Sequence, residues 1–100
     1  MASEQVTLAA GSISRLTLDA PTGRIVVTQS SGTAAEIFVT ADGNDPVTPS
    51  GSTEVPDQQR PIPAVLGAQV VLQPPLFGDH MAIPSVRFLS AGTPTVTVEW

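Results

Sequence analysis

Apolar and polar residues alternate with period two along most of this chain, which is the signature of half-buried β-strands. Val6, Leu8 and Ala10 alternate with Gln5, Thr7 and Ala9, and Leu16 and Leu18 resume the pattern after Gly11. A short apolar run follows at Ile25-Val26-Val27. Ile37, Val39 and Ala41 then alternate with Glu36, Phe38 and Thr40. Val70-Val71-Leu72 is another apolar run, Val86 and Phe88 alternate with Arg87 and Leu89, and the chain closes on Val96, Val98 and Trp100. β-Branched residues dominate these segments and suit a pleated surface better than a helix. No stretch carries apolar residues at helical spacing over three turns without meeting one of the ten prolines or eight glycines. The pattern predicts an all-β fold: an antiparallel β-sandwich or small barrel of about six to eight short strands.

Turn residues fall between the strands. Ala20-Pro21-Thr22-Gly23 reads as a turn before the third strand, with Pro fixing φ and Gly tolerating a positive one. Ser30-Ser31-Gly32-Thr33 and Ala91-Gly92-Thr93-Pro94 read as hairpin loops. Two long Pro-rich loops exceed what a minimal sandwich needs. One, 42–63, is rich in Pro, Gly, Ser, Thr and Asp. The other, 73–84, reads QPPLFGDHMAIP and sets Leu76, Phe77, Met81 and Ile83 among prolines. Apolar side chains on such a loop either fold back on the core or meet a partner. These four residues, with Trp100, are the candidate partner-contact set. Trp100 shares the face of Val96 and Val98, so capping the core is its plainer role and anchoring in a partner's pocket the sharper one.

One hundred residues make a single domain, 1–100, that can hold its own core. Charged residues are 13% of the chain, all four basic ones are arginine, and the net charge is −5. Nucleic-acid binding needs a basic patch, so no nucleic-acid partner is expected. An anionic membrane would repel the chain, and no apolar run reaches the ~20 residues of a membrane span, so no membrane partner is expected. The start, MASEQVTL, has neither a basic nor a long apolar region, and no secretory signal is expected. The absence of cysteine removes disulfides, thiolate metal sites and cysteine nucleophiles.

Catalytic chemistry has little to stand on. The one histidine, His80, adjoins Asp79, but neighbours in an extended chain point to opposite faces. There is no nucleophile elbow and no phosphate loop. Glu36 and Glu99 occupy polar positions of strands and read as a solvated sheet face. Asp42, Asn44 and Asp45 resemble the opening of a calcium loop, yet its sixth-position glycine is Val47 and its twelfth-position glutamate is Thr53. Ordinary turn chemistry explains them better. No enzyme activity, cofactor or metal is expected.

The order of the elements resembles a group of small virion proteins of tailed phages, especially those of actinobacterial hosts. The residues that carry the resemblance are Pro21-Thr22-Gly23-Arg24-Ile25-Val26-Val27, Ser31-Gly32-Thr33-Ala34, Glu36-Ile37-Phe38-Val39-Thr40, Asp42-Gly43-Asn44-Asp45-Pro46, Val86 through Pro94, and Val96-Thr97-Val98-Glu99-Trp100. It spans Leu16 to Trp100 and consists of strands and turns. It implies a β-sandwich located in the virion and assembled in the host cytoplasm. Its partners would be the major capsid protein or other virion proteins. The implied role is decoration or cementing of the capsid; the alternatives are a tail or head–tail connector component and a host-surface carbohydrate-binding module. The scarcity of aromatics, four with no tyrosine, counts against the last. Lattice symmetry suggests a homo-oligomer, with a trimer expected.

Overall fold

In a computed structural model, the alternating segments form eight strands: β1 (Ser3–Thr7), β2 (Ser14–Thr22), β3 (Ile25–Ser31), β4 (Ile37–Thr40), β5 (Arg60–Ile62), β6 (Gln69–Leu72), β7 (Ile83–Ser90) and β8 (Thr95–Glu99). The structure describes residues 2–22, 24–41, 44–51, 54–56, 59–72 and 83–100; at 19–22 and 83–84 it describes the backbone alone. Among the described residues there is no helix.

The strands make two four-stranded sheets, ordered β1-β8-β3-β6 and β2-β7-β4-β5. Every neighbouring pair is antiparallel. The fold is therefore a β-sandwich and not a barrel. Its register follows a simple rule. Moving inward from both ends of the chain, Ser3 faces Glu99, Ser14 faces Phe88, Ile25 faces Leu72 and Ile37 faces Ile62. The chain is one long antiparallel ribbon, β1 to β4 running out and β5 to β8 running back, rolled so that successive segments fall in opposite sheets. That is a jelly roll.

This winding corrects several local readings. Loops 30–33 and 91–94 do not close hairpins: β3 and β8 lie in one sheet, β4 and β7 in the other. Among the described strands, β4 and β5 are the one consecutive pair that share a sheet. Residues 20–22, expected in a turn, belong to β2, which continues through Pro21 to Thr22. β2 is an edge strand, the place in a sheet where proline is tolerated. The segment 42–63 is not all loop, since β5 occupies its last part. β1 sits nearer the N-terminus than Val6, Leu8 and Ala10 suggest, and Ala10 is exposed in the turn that follows.

The core lies between the sheets. Ile25, Val27, Ile37, Val39, Ile62, Leu72, Val86, Phe88, Val96 and Val98 are essentially inaccessible to solvent. They come from six strands and hold the two-residue phase that the sequence shows. Burying one such side chain stabilises the fold by about 1.5–3 kcal/mol. Phe38 and Thr40 are also buried, although they stand on the outer phase of β4. Thr40 donates its hydroxyl hydrogen to the Asn44 carbonyl, and Arg87, opposite Thr40, pairs with Asp45. The segment after β4 is thus tied down across the outside of its own sheet.

Candidate functional site

The two ends of the sandwich differ. At one end lie the connections 8–13, 32–36, 63–68 and 91–94, all described and all cross-linked. The Leu8 N–H donates to the Pro94 carbonyl at 3.0 Å, and the Gly11 N–H to the Ser90 carbonyl at 2.8 Å. The Ser90 hydroxyl donates to the Glu36 carbonyl at 2.8 Å and accepts the Gly92 N–H at 3.2 Å. Gly92 is required by packing: a Cβ there would stand 2.8 Å from the Ala35 Cβ. Gly32 holds φ at +84° while its backbone runs against Pro94 and Thr93. The turn motifs at 31–34 and 90–94 are therefore structural, and they lock one end of the molecule.

The hub of that end is Gln29, which is fully buried. Its side-chain nitrogen donates to the Pro63 carbonyl, and its side-chain oxygen accepts the Ala35 N–H, both at 2.8 Å. Its backbone N–H donates to the Ala68 carbonyl, and its carbonyl accepts the Gly67 N–H. One amide thereby joins connections from both sheets. Sequence reasoning passed over it, although it stands in the buried phase of Ile25, Val27 and Gln29. Gln59, also buried, acts similarly near the other end: its amide both accepts from and donates to the backbone of Val47, at 2.8 Å each way.

Charge is distributed unevenly. The connections of the braced end contain one charged residue, Glu36, and expose Ile13, Val65 and Leu66 at 42%, 59% and 49%. The opposite end carries Arg24, Asp45, Glu54 and Arg60. There an open depression of ≈ 420 Å³ is lined by Asn44, Asp45, Glu54, Val55 and Pro56. Asp45 is already committed to Arg87 at 2.6 Å, which offsets the repulsion between Arg87 and its cross-strand neighbour Arg15. Among the described residues no group of three His, Cys, Asp or Glu is arranged to hold a metal.

The sequence-derived partner-contact residues fare differently. Leu76, Phe77 and Met81 lie outside the described residues, as do Asp42, Asp79 and His80. Ile83 opens β7 opposite Thr22, with its backbone alone described. The described flanks of that loop, Leu72 and Ile83, stand at the end away from Gln29, beside the turn between β2 and β3. Trp100 is half-buried against the core cluster. Its backbone exchanges hydrogen bonds with Ala2 at 2.7 and 2.9 Å. It therefore closes the core at that end, as its shared face with Val96 and Val98 allows.

The outer face of the β1-β8-β3-β6 sheet is polar and nearly uncharged. Thr7 and Thr95 share a hydrogen bond, Thr28 donates to the Gln69 side chain, and Thr97 donates to Ser30. Among the described residues no helix is long and apolar enough to cross a membrane. No family model matches the chain, and neither a curated protein nor a solved structure matches it.

Proposed function

We propose that this chain is a structural, non-enzymatic virion protein that binds the outer surface of a phage capsid as a decoration or cement protein. The observation that carries the reading is the braced end. It is preorganised by hydrogen bonds through Gln29 and Ser90, nearly free of charge, and exposes Ile13, Val65 and Leu66. A surface already fixed in its bound shape loses little entropy on docking. Exposed apolar groups there gain from being covered. The resemblance to small phage virion proteins points to the same role, and jelly rolls recur in viral capsid domains, which is support by analogy. A carbohydrate-binding role is less well supported. Of the described aromatics, Phe38 and Phe88 are buried and Trp100 is packed on the core, so none is presented for stacking on a sugar ring.

Gradient sedimentation of phage particles, probed for this chain, tests the proposal. Co-sedimentation in copies comparable to the major capsid protein is the expected result. A handful of copies per particle assigns the chain to the tail or connector. Recovery at the top of the gradient, as a free small protein, overturns the virion reading.

A further inference from the structure

Each sheet of the sandwich ends in two edge strands, β1 and β6 in one and β2 and β5 in the other. An edge presents unpaired backbone N–H and C=O groups and will pair with another chain unless something prevents it. Three of the four edges carry such a device. On β1, Glu4 lies opposite the buried Val98 and so places a charge on the core-facing phase of an edge strand. β2 carries Arg15 and Pro21. β5 is three residues long, with Arg60 first and Pro61 in the middle. Among the described residues β6 has no such device. Its sequence is Gln69-Val70-Val71-Leu72, the connection before it, 63–68, has no charged residue, and among the described residues its outer edge is unpaired. Val71 is 38% exposed on the outer face, whereas Leu72 is buried and Val70 packs on the core.

We propose that two copies of this chain associate by antiparallel pairing of β6 with β6, with the two-fold axis at Val71. The register follows from face matching. Residues directly opposite in an antiparallel pair share a face, so a self-paired strand must be centred on a residue and not between two. With Val71 at the centre, each exposed Val71 is covered by the partner's Val71, and Val70 stands opposite the partner's Leu72 on the core side. The strand is self-complementary in this register, and the pairing turns two four-stranded sheets into one of eight strands. Charge favours the same surface: each copy carries −5, and this edge adds none of it. Such a pairing is isologous and closes at two copies, where lattice symmetry alone suggests three. It stands apart from the capsid reading, because it needs no partner but the chain itself.

Multi-angle light scattering on the full chain, across a range of concentrations, tests it. The wild type is expected to reach twice the 10.3 kDa chain mass, and Val71→Lys to remain at the monomer mass with an unchanged circular dichroism spectrum. Val71→Cys supplies a second readout in a chain that has no other cysteine. Facing residues in a hydrogen-bonded antiparallel pair are roughly 5.5 Å apart at Cα, within disulfide range. Mild oxidation is therefore expected to give a covalent dimer. A wild type that stays monomeric at its highest soluble concentration overturns the proposal. A dimer that persists in Val71→Lys, or one that Val71→Cys cannot lock, also overturns it by assigning the contact to another surface.

Discussion

Replacing Gln29 with Met keeps the length and nearly the volume of the side chain while deleting both amide hydrogen bonds. Two backbone groups then lose their partners, the Pro63 carbonyl and the Ala35 N–H. Leaving a buried polar group unsatisfied costs about 1–3 kcal/mol. Two such losses, partly offset by the better burial of a thioether, put the destabilisation at about 2–4 kcal/mol. For a domain of this size that lowers the melting midpoint by roughly 10–25 °C. Urea unfolding followed by the fluorescence of Trp100, the one tryptophan, gives the value directly. The m-value is expected to stay constant, because the fold exposes the same surface on unfolding. Gln29→Glu adds a pH test. The carboxyl replaces a donor with an acceptor beside the Pro63 carbonyl, so the buried group must hold its proton and its folded pKa is raised. A raised folded pKa means stability that is present at low pH and lost as pH rises above the ordinary carboxylate range near ~4.3. A Gln29→Met variant within about 0.5 kcal/mol of wild type, or a Gln29→Glu variant without that slope, would refute the claim that this amide braces the end.

Two further outcomes are expected. Gly92→Ala places a Cβ against Ala35, and overpacking of this kind costs about 1–3 kcal/mol. In a double-mutant cycle Ala35→Gly should recover much of that loss, and simple additivity would show that the contact is not the cause. If the 73–84 segment docks on a particle, Phe77→Ala weakens particle binding and leaves the thermal midpoint nearly fixed. A loss of about 3–5 kcal/mol in stability would instead place Phe77 in the core.

Much of the fold was legible one segment at a time. The inward phases of β3, β4, β7 and β8 could be read from Ile25 and Val27, Ile37 and Val39, Val86 and Phe88, and Val96 and Val98, because burial against a core imposes a period of two on the residues themselves. The core-capping position of Trp100 followed from the same phase. β1 and β5 were misplaced or invisible for the opposite reason. Ser3, Glu4 and Gln5 are exposed and carry no burial signal, and Arg60–Ile62 is too short to show a period. The roles of Gln29 and Gln59 were hidden because an amide in the apolar phase declares that it needs partners without saying where they are.

What the sequence by itself determined is therefore the class: strands, their buried faces, and turns built on Gly32 and Gly92. Only the tertiary structure decided which strands became neighbours. A turn residue fixes φ and ψ over a few positions and leaves open whether the next strand pairs with the last or crosses to the other sheet. Here β3 to β4 and β7 to β8 cross, and the partner of β8 is β1, from the far end of the chain. That choice depends on closing both sheets over one core at once. The braced, nearly uncharged end and the edge at β6, unguarded among the described residues, arise from that closure, since each is made by segments distant in the chain or by a strand left without an outer neighbour.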